Sequence, residues 1–232
     1  DKITIHAVEE FLHAGYDLDA EAVLLCESDG GIDEVIDETE RIVAIMQQSG
    51  ATKIRTSQNE AQRLSFWAGR KAAFPAAGRV SPDYYCMDGT IPRKQLAHVL
   101  QGIEQLSRAY GLRCMNVFHA GDGNLHPLIL YDANQPGELE KTEEFGGKIL
   151  EMCIHAGGTI TGEHGVGMEK INQMCVQFGS DELAMFHAIK SAFDAKELLN
   201  PGKAVPTLHR CAELGGMHVH QGQRTFSELP RF

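Results

Sequence analysis

The stretch RCMNVFHAGDGNLHPLILYD, residues 113–132, decides the fold of this chain. It places Asp122-Gly123 between two apolar runs, which is the strongest short-range signal for a β-hairpin. A two-residue turn there fixes the register of the two strands. It predicts that Arg113 lies opposite Asp132, and this pairing of opposite charges supports the assignment.

The same register places His119 directly opposite His126. Cross-strand partners have β-carbons about 4.5–5.5 Å apart, close enough for two imidazoles to share one divalent cation. A hairpin whose histidines only form hydrogen bonds is the alternative, and the spacing leaves both open. The missing N–H of Pro127 would point away from the hairpin partner, so that side of the strand is expected to be an edge or irregular.

Outside the hairpin, hydrophobic periodicity predicts alternating strands and helices. Strands are predicted at residues 20–27, 52–56 and 84–88, and helices at 32–49, 60–74 (stopped before Pro75), 92–110 and 137–156, with two more ending near Asn200-Pro201-Gly202. The order of the elements predicts an α+β fold, in which an open sheet is covered by helices and followed by a helical end.

Composition excludes some classes of function. The 232 residues carry a formal net charge of −11, without the clustered Lys and Arg that binding to nucleic acid requires. No apolar stretch approaches the roughly 20 residues of a transmembrane helix, and the start has no signal segment. The sequence therefore predicts a cytoplasmic protein or an excised piece of one, with no nucleic-acid partner and no transmembrane segment.

A second group of polar side chains lies in the glycine-rich stretch GGTITGEHGVG, residues 157–167. Glu163 would complete a His₂-carboxylate metal set with the two hairpin histidines, leaving coordination positions open for substrate and His164 free as a base. A tight turn with a solvated Glu-His pair is the alternative. Arg70 could hold a substrate carboxylate, although a surface arginine is the default reading.

Several strings together resemble one family. They are VFHAGDGNLH (117–126), GEHGVG (162–167) and LNPGK (199–203), with WAGRK (67–71), SPDYYCMDGTIP (81–92), INQMC (171–175) and LHRCAE (208–213). In this order and spacing they resemble the C-terminal half of FAD-linked oxidases of the vanillyl-alcohol-oxidase type. Within that group they are most similar to flavin-linked 2-hydroxy-acid dehydrogenases of the glycolate oxidase type.

The resemblance implies a domain plan. Residues 1–135 would form a substrate-binding cap with a ferredoxin-like open antiparallel sheet and covering helices. Residues 136–205 would form the C-terminal helical segment of the FAD-linked oxidase, packing back on the cap, and residues 206–232 an irregular tail. The N-terminal FAD-binding domain of the family is absent from this sequence.

The resemblance also assigns roles to residues. It implies that His119, His126 and Glu163 bind a divalent metal, Zn or Mn, and that His164 is the catalytic base. Arg70 and Asn124 would contact the substrate, and Asn200 would lie near the flavin. Relatives acting on 2-hydroxyglutarate carry a lysine where Cys86 stands here, which favours a small monocarboxylic substrate.

The function implied is oxidation of glycolate or D-lactate to the 2-oxo acid, with hydride transfer to FAD. Implied partners are a second flavin-type subunit and an iron–sulfur subunit of a glycolate oxidase complex, which would place a cytoplasmic protein peripherally at the inner membrane. The isolated chain would be inactive. Two alternatives are a non-catalytic docking module for partner subunits and a stand-alone His₂-Glu metallohydrolase.

Overall fold

The computed structural model describes residues 1–206, which divide into two compact units. Unit one comprises residues 1–84 and 115–117, and unit two the remaining described residues. The helices are α1 (Lys2–Leu12), α2 (Ile32–Gln48), α3 (Glu60–Val80), α4 (Leu96–Tyr110), α5 (Glu138–His155), α6 (Ile171–Gln177) and α7 (Ser180–Phe193). The strands are β1 (Asp83–Cys86), β2 (Cys114–His119) and β3 (Asn124–Tyr131), and Arg93–Gln95 form a 3₁₀ turn before α4.

In unit one, α1 packs against α3. Asp1 caps α1 by accepting a hydrogen bond from the Thr4 N–H at 3.0 Å. The predicted end of α3 at residue 74 is wrong, because the helix continues through Pro75 to Val80. Proline in a helix interior costs about 3 kcal/mol. Helix α3 is buried on both sides of the proline, and this packing opposes the cost. Its buried residues are small, which allows close packing: Gly69, Ala72, Ala73, Ala76 and Ala77.

The predicted helix at residues 32–49 is confirmed as α2, but the strands predicted on either side of it are wrong. Residues 20–27 and 52–56 have no strand structure. Val23 and Leu24 in the first segment are exposed. Strand propensity reflects packing on a pleated surface, and an apolar run without a hydrogen-bonded neighbour does not form a strand by itself.

The three strands form an antiparallel sheet with the order β1-β3-β2, and most of its residues, including all of β3, belong to unit two. Helix α5 packs on β3, and α4 and α6 pack on α5. The core between sheet and helices includes Leu125 and Ile129 of β3 and Phe145 and Ile149 of α5, all fully buried. The predicted α+β class is confirmed. The predicted C-terminal pair of helices is also present as α6 and α7, although α7 ends at Phe193, well before Asn200.

The hairpin is present, but its predicted register is wrong by two residues. The turn has four residues, 120–123, and the His119 carbonyl accepts hydrogen bonds from the Asp122 and Gly123 N–H groups at 3.1 and 3.0 Å. The Leu130 N–H consequently donates to the backbone carbonyl of Arg113 at 2.9 Å, so Arg113 pairs with Leu130 and not with Asp132. His119 lies opposite Asn124, with His126 one diagonal position away.

Pro127 lies on the central strand β3, where the prediction allowed either an edge or an irregular partner on the side of its missing N–H. Its carbonyl accepts a hydrogen bond from the Met87 N–H at 3.0 Å, and its missing N–H faces the same neighbour. There β1 has ended at Cys86, and the chain continues as residues 87–91, held to β3 by single hydrogen bonds. The alternative of an irregular pairing agrees with this arrangement. Residues 87–91 are called the β1 extension below.

Two further observations concern the whole described chain. None of the helices in residues 1–206 is long and apolar enough to cross a lipid bilayer. The predicted irregular tail, residues 206–232, lies outside the described residues except for its first residue.

Candidate functional site

One face of the sheet in unit two carries a row of polar side chains. Side chains alternate between the two faces of a sheet. Met87, Leu125 and Ile129 point into the core, and their neighbours therefore point to the other face. These neighbours are Cys86, Asp88 and Thr90 on β1 and its extension, Asn124 and His126 on β3, and His119 at the end of β2.

His119, His126 and Glu163 converge on this face. The His119 Nε2 lies 3.6 Å from Glu163 Oε1, and the His126 Nε2 lies 3.6 Å from Glu163 Oε2. Two ligands about 2.1 Å from a tetrahedral zinc are about 3.4 Å apart, so these nitrogens and oxygens are spaced as cation ligands are. The three side chains also offer donors of the kind that Zn²⁺ and Mn²⁺ accept. The donor set fits a divalent cation.

Of these three side chains two are exposed and one is buried, and burial affects the charge of the buried one. His126 is 3% exposed, whereas His119 and Glu163 face solvent. Burial lowers the pKa of His126 below its ordinary 6.5, although the negative charge of Glu163 acts in the opposite direction. His126 therefore stays neutral at neutral pH, which is the protonation state in which an imidazole can bind a cation.

His164 and Cys86 lie on the other side of His126. The rings of His126 and His164 stack with centroids 5.1 Å apart and planes 14° from parallel. The Cys86 thiol donates to the Met87 carbonyl at 3.4 Å. Burial, together with the negative charge of Asp88, raises the pKa of the Cys86 thiol to about 12. Cys86 is therefore a protonated thiol and not a nucleophile.

Asp88 holds the loop that carries Glu163 and His164. The Asp88 carboxylate is fully buried and accepts hydrogen bonds from the N–H groups of Gly162, Glu163 and His164 at 2.8–3.1 Å. The Thr161 hydroxyl donates to the same carboxylate at 2.8 Å. Four consecutive residues of the loop are thus fixed by one side chain on the β1 extension.

The charge of Asp88 is balanced by a buried lysine. Lys170 is 2% exposed, and its Nζ lies 3.1 Å from Asp88 Oδ2. Burial alone would raise the pKa of Asp88, but the hydrogen bonds from the loop and from Lys170 outweigh it and hold that pKa far below its ordinary value. Asp88 is therefore ionised, and its negative charge acts on His126 as well as on Lys170.

Glycines let the loop approach the sheet. A β-carbon on Gly162 would lie 2.4 Å from Thr90 Oγ1 and 2.6 Å from Asn124 Oδ1, and one on Gly158 would lie 1.9 Å from the Thr90 carbonyl oxygen. Between these glycines, Thr159 and Thr90 exchange backbone hydrogen bonds of 2.8 and 2.9 Å. The loop therefore extends the sheet past the β1 extension, which brings Glu163 over the face that carries the histidines.

Asn124 has a polar atom available at this site. Its side chain is buried, and its Oδ1 accepts a hydrogen bond from the Thr90 hydroxyl at 3.3 Å. Its Nδ2 has no hydrogen-bond partner among the described residues. A buried donor without a partner costs about 1–3 kcal/mol, which a ligand oxygen would recover.

The structure thus brings together five of the seven site residues that the sequence predicts: His119, Asn124, His126, Glu163 and His164. Of the other two, Arg70 is half-buried on α3 in unit one. Asn200 is exposed in the segment after α7, in left-handed backbone with φ 47°.

Asp88, Thr90 and Lys170 were not predicted as site residues. Residues 84–88 were predicted as a strand, and within them apolar Tyr85 and Met87 alternate with polar Cys86 and Asp88. This alternation could have indicated that Asp88 shares a face with the histidines. For Lys170 the sequence carries no such signal, because it meets Asp88 only through the packing of unit two.

The fold and the site together define an α+β domain whose sheet carries a donor set that fits a divalent cation. The family model "FAD linked oxidases, C-terminal domain" matches residues 1–204. This chain therefore belongs to the FAD-linked oxidase family and contains its C-terminal domain.

Individual relatives agree with this membership. The chain is 63% identical over all its 232 residues to "Glycolate oxidase subunit GlcD" of Escherichia coli K12, and covers 46% of that protein. It is 34% identical over 178 residues, 74% of this chain, to the mitochondrial "D-lactate dehydrogenase [cytochrome]" of Kluyveromyces lactis, of which it covers 30%. The chain thus spans less than half the length of these relatives.

Among solved structures, the fold resembles a 4-ethylphenol oxidase from Gulosibacter chungangensis in complex with isoeugenol. The TM-score is 0.53 with 18% identity, over 76% of this chain and 37% of the other. At this identity the likeness concerns the fold alone.

Proposed function

We propose that the full-length protein is an FAD-dependent dehydrogenase that oxidises a small 2-hydroxy acid, glycolate or D-lactate, to the 2-oxo acid. The observation that carries this proposal is the convergence of His119, His126 and Glu163, in which each histidine Nε2 lies 3.6 Å from a Glu163 carboxylate oxygen, with His164 beside them. The family membership and the names of the relatives support the same chemistry.

In this proposal His119, His126 and Glu163 hold a divalent cation, Zn²⁺ or Mn²⁺. A cation so held would bind the hydroxyl and carboxylate oxygens of the substrate and make the hydroxyl more acidic. Neutral His126 and ionised Asp88 favour positive charge at this point of the sheet. Three protein ligands also leave coordination positions open, as a catalytic site requires.

His164 would remove the proton from the substrate hydroxyl. It lies on the exposed loop next to the metal set, and the Asp88 carboxylate fixes its backbone through a 2.8 Å hydrogen bond. Histidine is the side chain that most often serves as a general base in enzymes. The α-hydrogen would leave as hydride to FAD.

Asn124 and Arg70 would hold the substrate. The unpartnered Nδ2 of Asn124 offers a buried donor to a substrate oxygen, and the Arg70 guanidinium would pair with the carboxylate. Cys86 lies at the same site and carries no positive charge. A second carboxylate would therefore lack a counter-ion there, which favours a monocarboxylic substrate.

The remaining elements of the proposal concern the whole protein. The residues 1–135 would act as a ferredoxin-like cap and 136–205 as the helical segment that packs back on it, with FAD held mainly by the N-terminal half of the longer relatives. Asn200 is exposed and so accessible to a flavin held outside this chain. Electrons would pass to a second flavin-type subunit and an iron–sulfur subunit, with the complex cytoplasmic and peripheral at the inner membrane.

The direct test of the base is the variant His164→Asn in the full-length protein. We expect turnover of glycolate and D-lactate to be lost, because the hydroxyl proton has no acceptor, while Mn²⁺ affinity stays within about threefold of wild type. His98→Asn, at an exposed position on α4, is the matched control and should retain turnover. Normal turnover in His164→Asn would contradict the assignment.

A further inference from the structure

Three side chains of the site form a second donor set that the proposed reaction does not use as such. Cys86 of β1, His126 of β3 and His164 of the loop each offer one ligand atom, and these atoms all lie within 4.8 Å of one another. We propose that this set is a second cation site, selective for thiophilic cations such as Cd²⁺, and that it excludes the cation held by His119, His126 and Glu163.

The donors differ between the two sets. Cys86, His126 and His164 offer one sulfur and two nitrogens, whereas the first set offers two nitrogens and a carboxylate oxygen. Thiolate ligands select soft cations, and carboxylate ligands suit Mn²⁺. A cation that prefers sulfur is therefore directed to Cys86, while Mn²⁺ is directed to Glu163.

The geometry permits closure around a cation. With Zn–S near 2.3 Å and Zn–N near 2.1 Å, tetrahedral ligands are about 3.6 Å apart, so donors up to 4.8 Å apart must approach by roughly 1 Å. His164 is exposed on its loop and can make this movement by side-chain rotation, while His126 and half-buried Cys86 stay on the sheet.

The charges around Cys86 favour a cation. The charged groups that act on its thiol are Asp88, Glu169 and Glu163, which are negative, and Lys170, which is positive. The three carboxylates attract a cation at the sulfur, and Lys170 opposes them. A soft cation that binds there displaces the thiol proton to solvent and forms the metal–thiolate bond without a change of oxidation state.

His126 makes the two sets mutually exclusive. A neutral imidazole has one nitrogen with a free lone pair, so it serves one cation at a time. A thiophilic cation also occupies His164, the proposed base. In the full-length enzyme such a cation inhibits turnover, because it occupies both a ligand of the first set and the base. This inhibition rests on the proposed function.

The test is a Cd²⁺ titration of the full-length protein, followed by the ultraviolet charge-transfer band of the cadmium–thiolate bond. We expect the band in wild type and its loss in Cys86→Ser. Cys26→Ser is the matched control, because Cys26 is an exposed free thiol in unit one, and it should retain the band. A band that persists in Cys86→Ser, or the absence of a band in wild type, would overturn the proposal.

Two further measurements separate this site from the first one. Glu163→Gln should keep the cadmium–thiolate band but bind Mn²⁺ more weakly, while Cys86→Ser should bind Mn²⁺ as wild type does, which also shows that it folds. Saturating Cd²⁺ should displace Mn²⁺ from the wild-type protein. If the protein shows the Cd²⁺ band but binds no Mn²⁺, the proposed function fails and the second site stands. If it binds both cations at once, the exclusion through His126 is contradicted.

Discussion

At the residue scale, the site depends on a histidine that is kept neutral by burial. His126 lies on the central strand of the sheet, shared by both donor sets, and its pKa is lowered because the charged imidazolium is poorly solvated there. Its exposed partners His119 and Glu163 approach from the end of β2 and from the loop. The buried histidine therefore fixes the position of the site on the sheet, and the exposed ligands complete it.

This burial predicts a pH dependence of stability. The pKa of His126 in the folded protein is below its unfolded value of about 6.5, so the unfolded chain binds more protons just below that pH. The metal-free protein should therefore lose stability as the pH falls from about 6.5 towards the folded-state pKa. Urea unfolding at a series of pH values, for wild type and His126→Gln, measures this.

The variant should lose that part of the pH dependence, whereas the exposed-site control His98→Gln should keep it. Equal pH profiles in wild type and His126→Gln would show that His126 is not the group responsible.

The sequence predicts correctly which side chains share a face of the sheet, because this depends only on whether two positions are an even or an odd number of residues apart in the pairing. The exact register of the hairpin is not needed for it. The hairpin register was predicted two residues away from the observed one, yet His119 and His126 still share a face. An even shift keeps every side chain on its side of the sheet, whereas a shift of one residue would have separated them. The length of the turn was not predictable, because Asp122-Gly123 is compatible with both a two-residue and a four-residue loop.

At the scale of elements, the glycine-rich loop is held by the buried pair of Asp88 and Lys170. Removing one partner of a buried ion pair leaves the other charge uncompensated, which costs about 3–5 kcal/mol. We therefore expect Asp88→Asn to lower the free energy of unfolding by about this amount, as measured by urea unfolding. It should also weaken Mn²⁺ binding, because the loop carrying Glu163 loses its charged acceptor.

The double variant Asp88→Asn with Lys170→Met separates these two effects. It removes the uncompensated lysine charge and should recover much of the stability, but not the Mn²⁺ affinity. Full recovery of Mn²⁺ affinity along with stability would show that Asp88 matters to the fold and does not position the loop.

The close approach of the loop to the sheet gives a second prediction at this scale. Gly162→Ala places a methyl group 2.4 Å from the Thr90 hydroxyl oxygen, so either the loop or Thr90 must move. Overpacking of this kind costs about 1–3 kcal/mol, and Mn²⁺ affinity should fall with it because Glu163 is the next residue. The measurements are thermal unfolding and Mn²⁺ titration.

Gly121→Ala is the matched control, since a β-carbon at that position in the hairpin turn meets nothing within 4 Å. Equal behaviour of the two variants would contradict the tight approach of the loop.

The elements that were not predicted correctly share a cause. Pro75 did not end α3, and the apolar segments at residues 20–27 and 52–56 did not form strands. In each case the local sequence propensity predicted one structure, and packing against neighbouring elements, or its absence, produced another. Helices α2, α4 and α5 were predicted well because their apolar residues recur with a helical period over many turns.

At the scale of the whole molecule, the chain supplies one half of the proposed active site. It spans less than half the length of its relatives. In the proposed function its own residues would provide the cation ligands, a base and a buried donor for the substrate, whereas the flavin that accepts the hydride would be held mainly outside it. The proposed function can therefore be tested without turnover, because it requires that substrate binding depends on the cation.

Calorimetric titration of the full-length protein tests this claim most directly. Mn²⁺ is added first and glycolate second, to wild type and to the double variant His119→Ala with His126→Ala. We expect one stoichiometric Mn²⁺ site that is lost in the double variant, and glycolate binding only when Mn²⁺ is bound. A Mn²⁺ site that survives the double substitution, or equal glycolate binding without the cation, would contradict the proposed function.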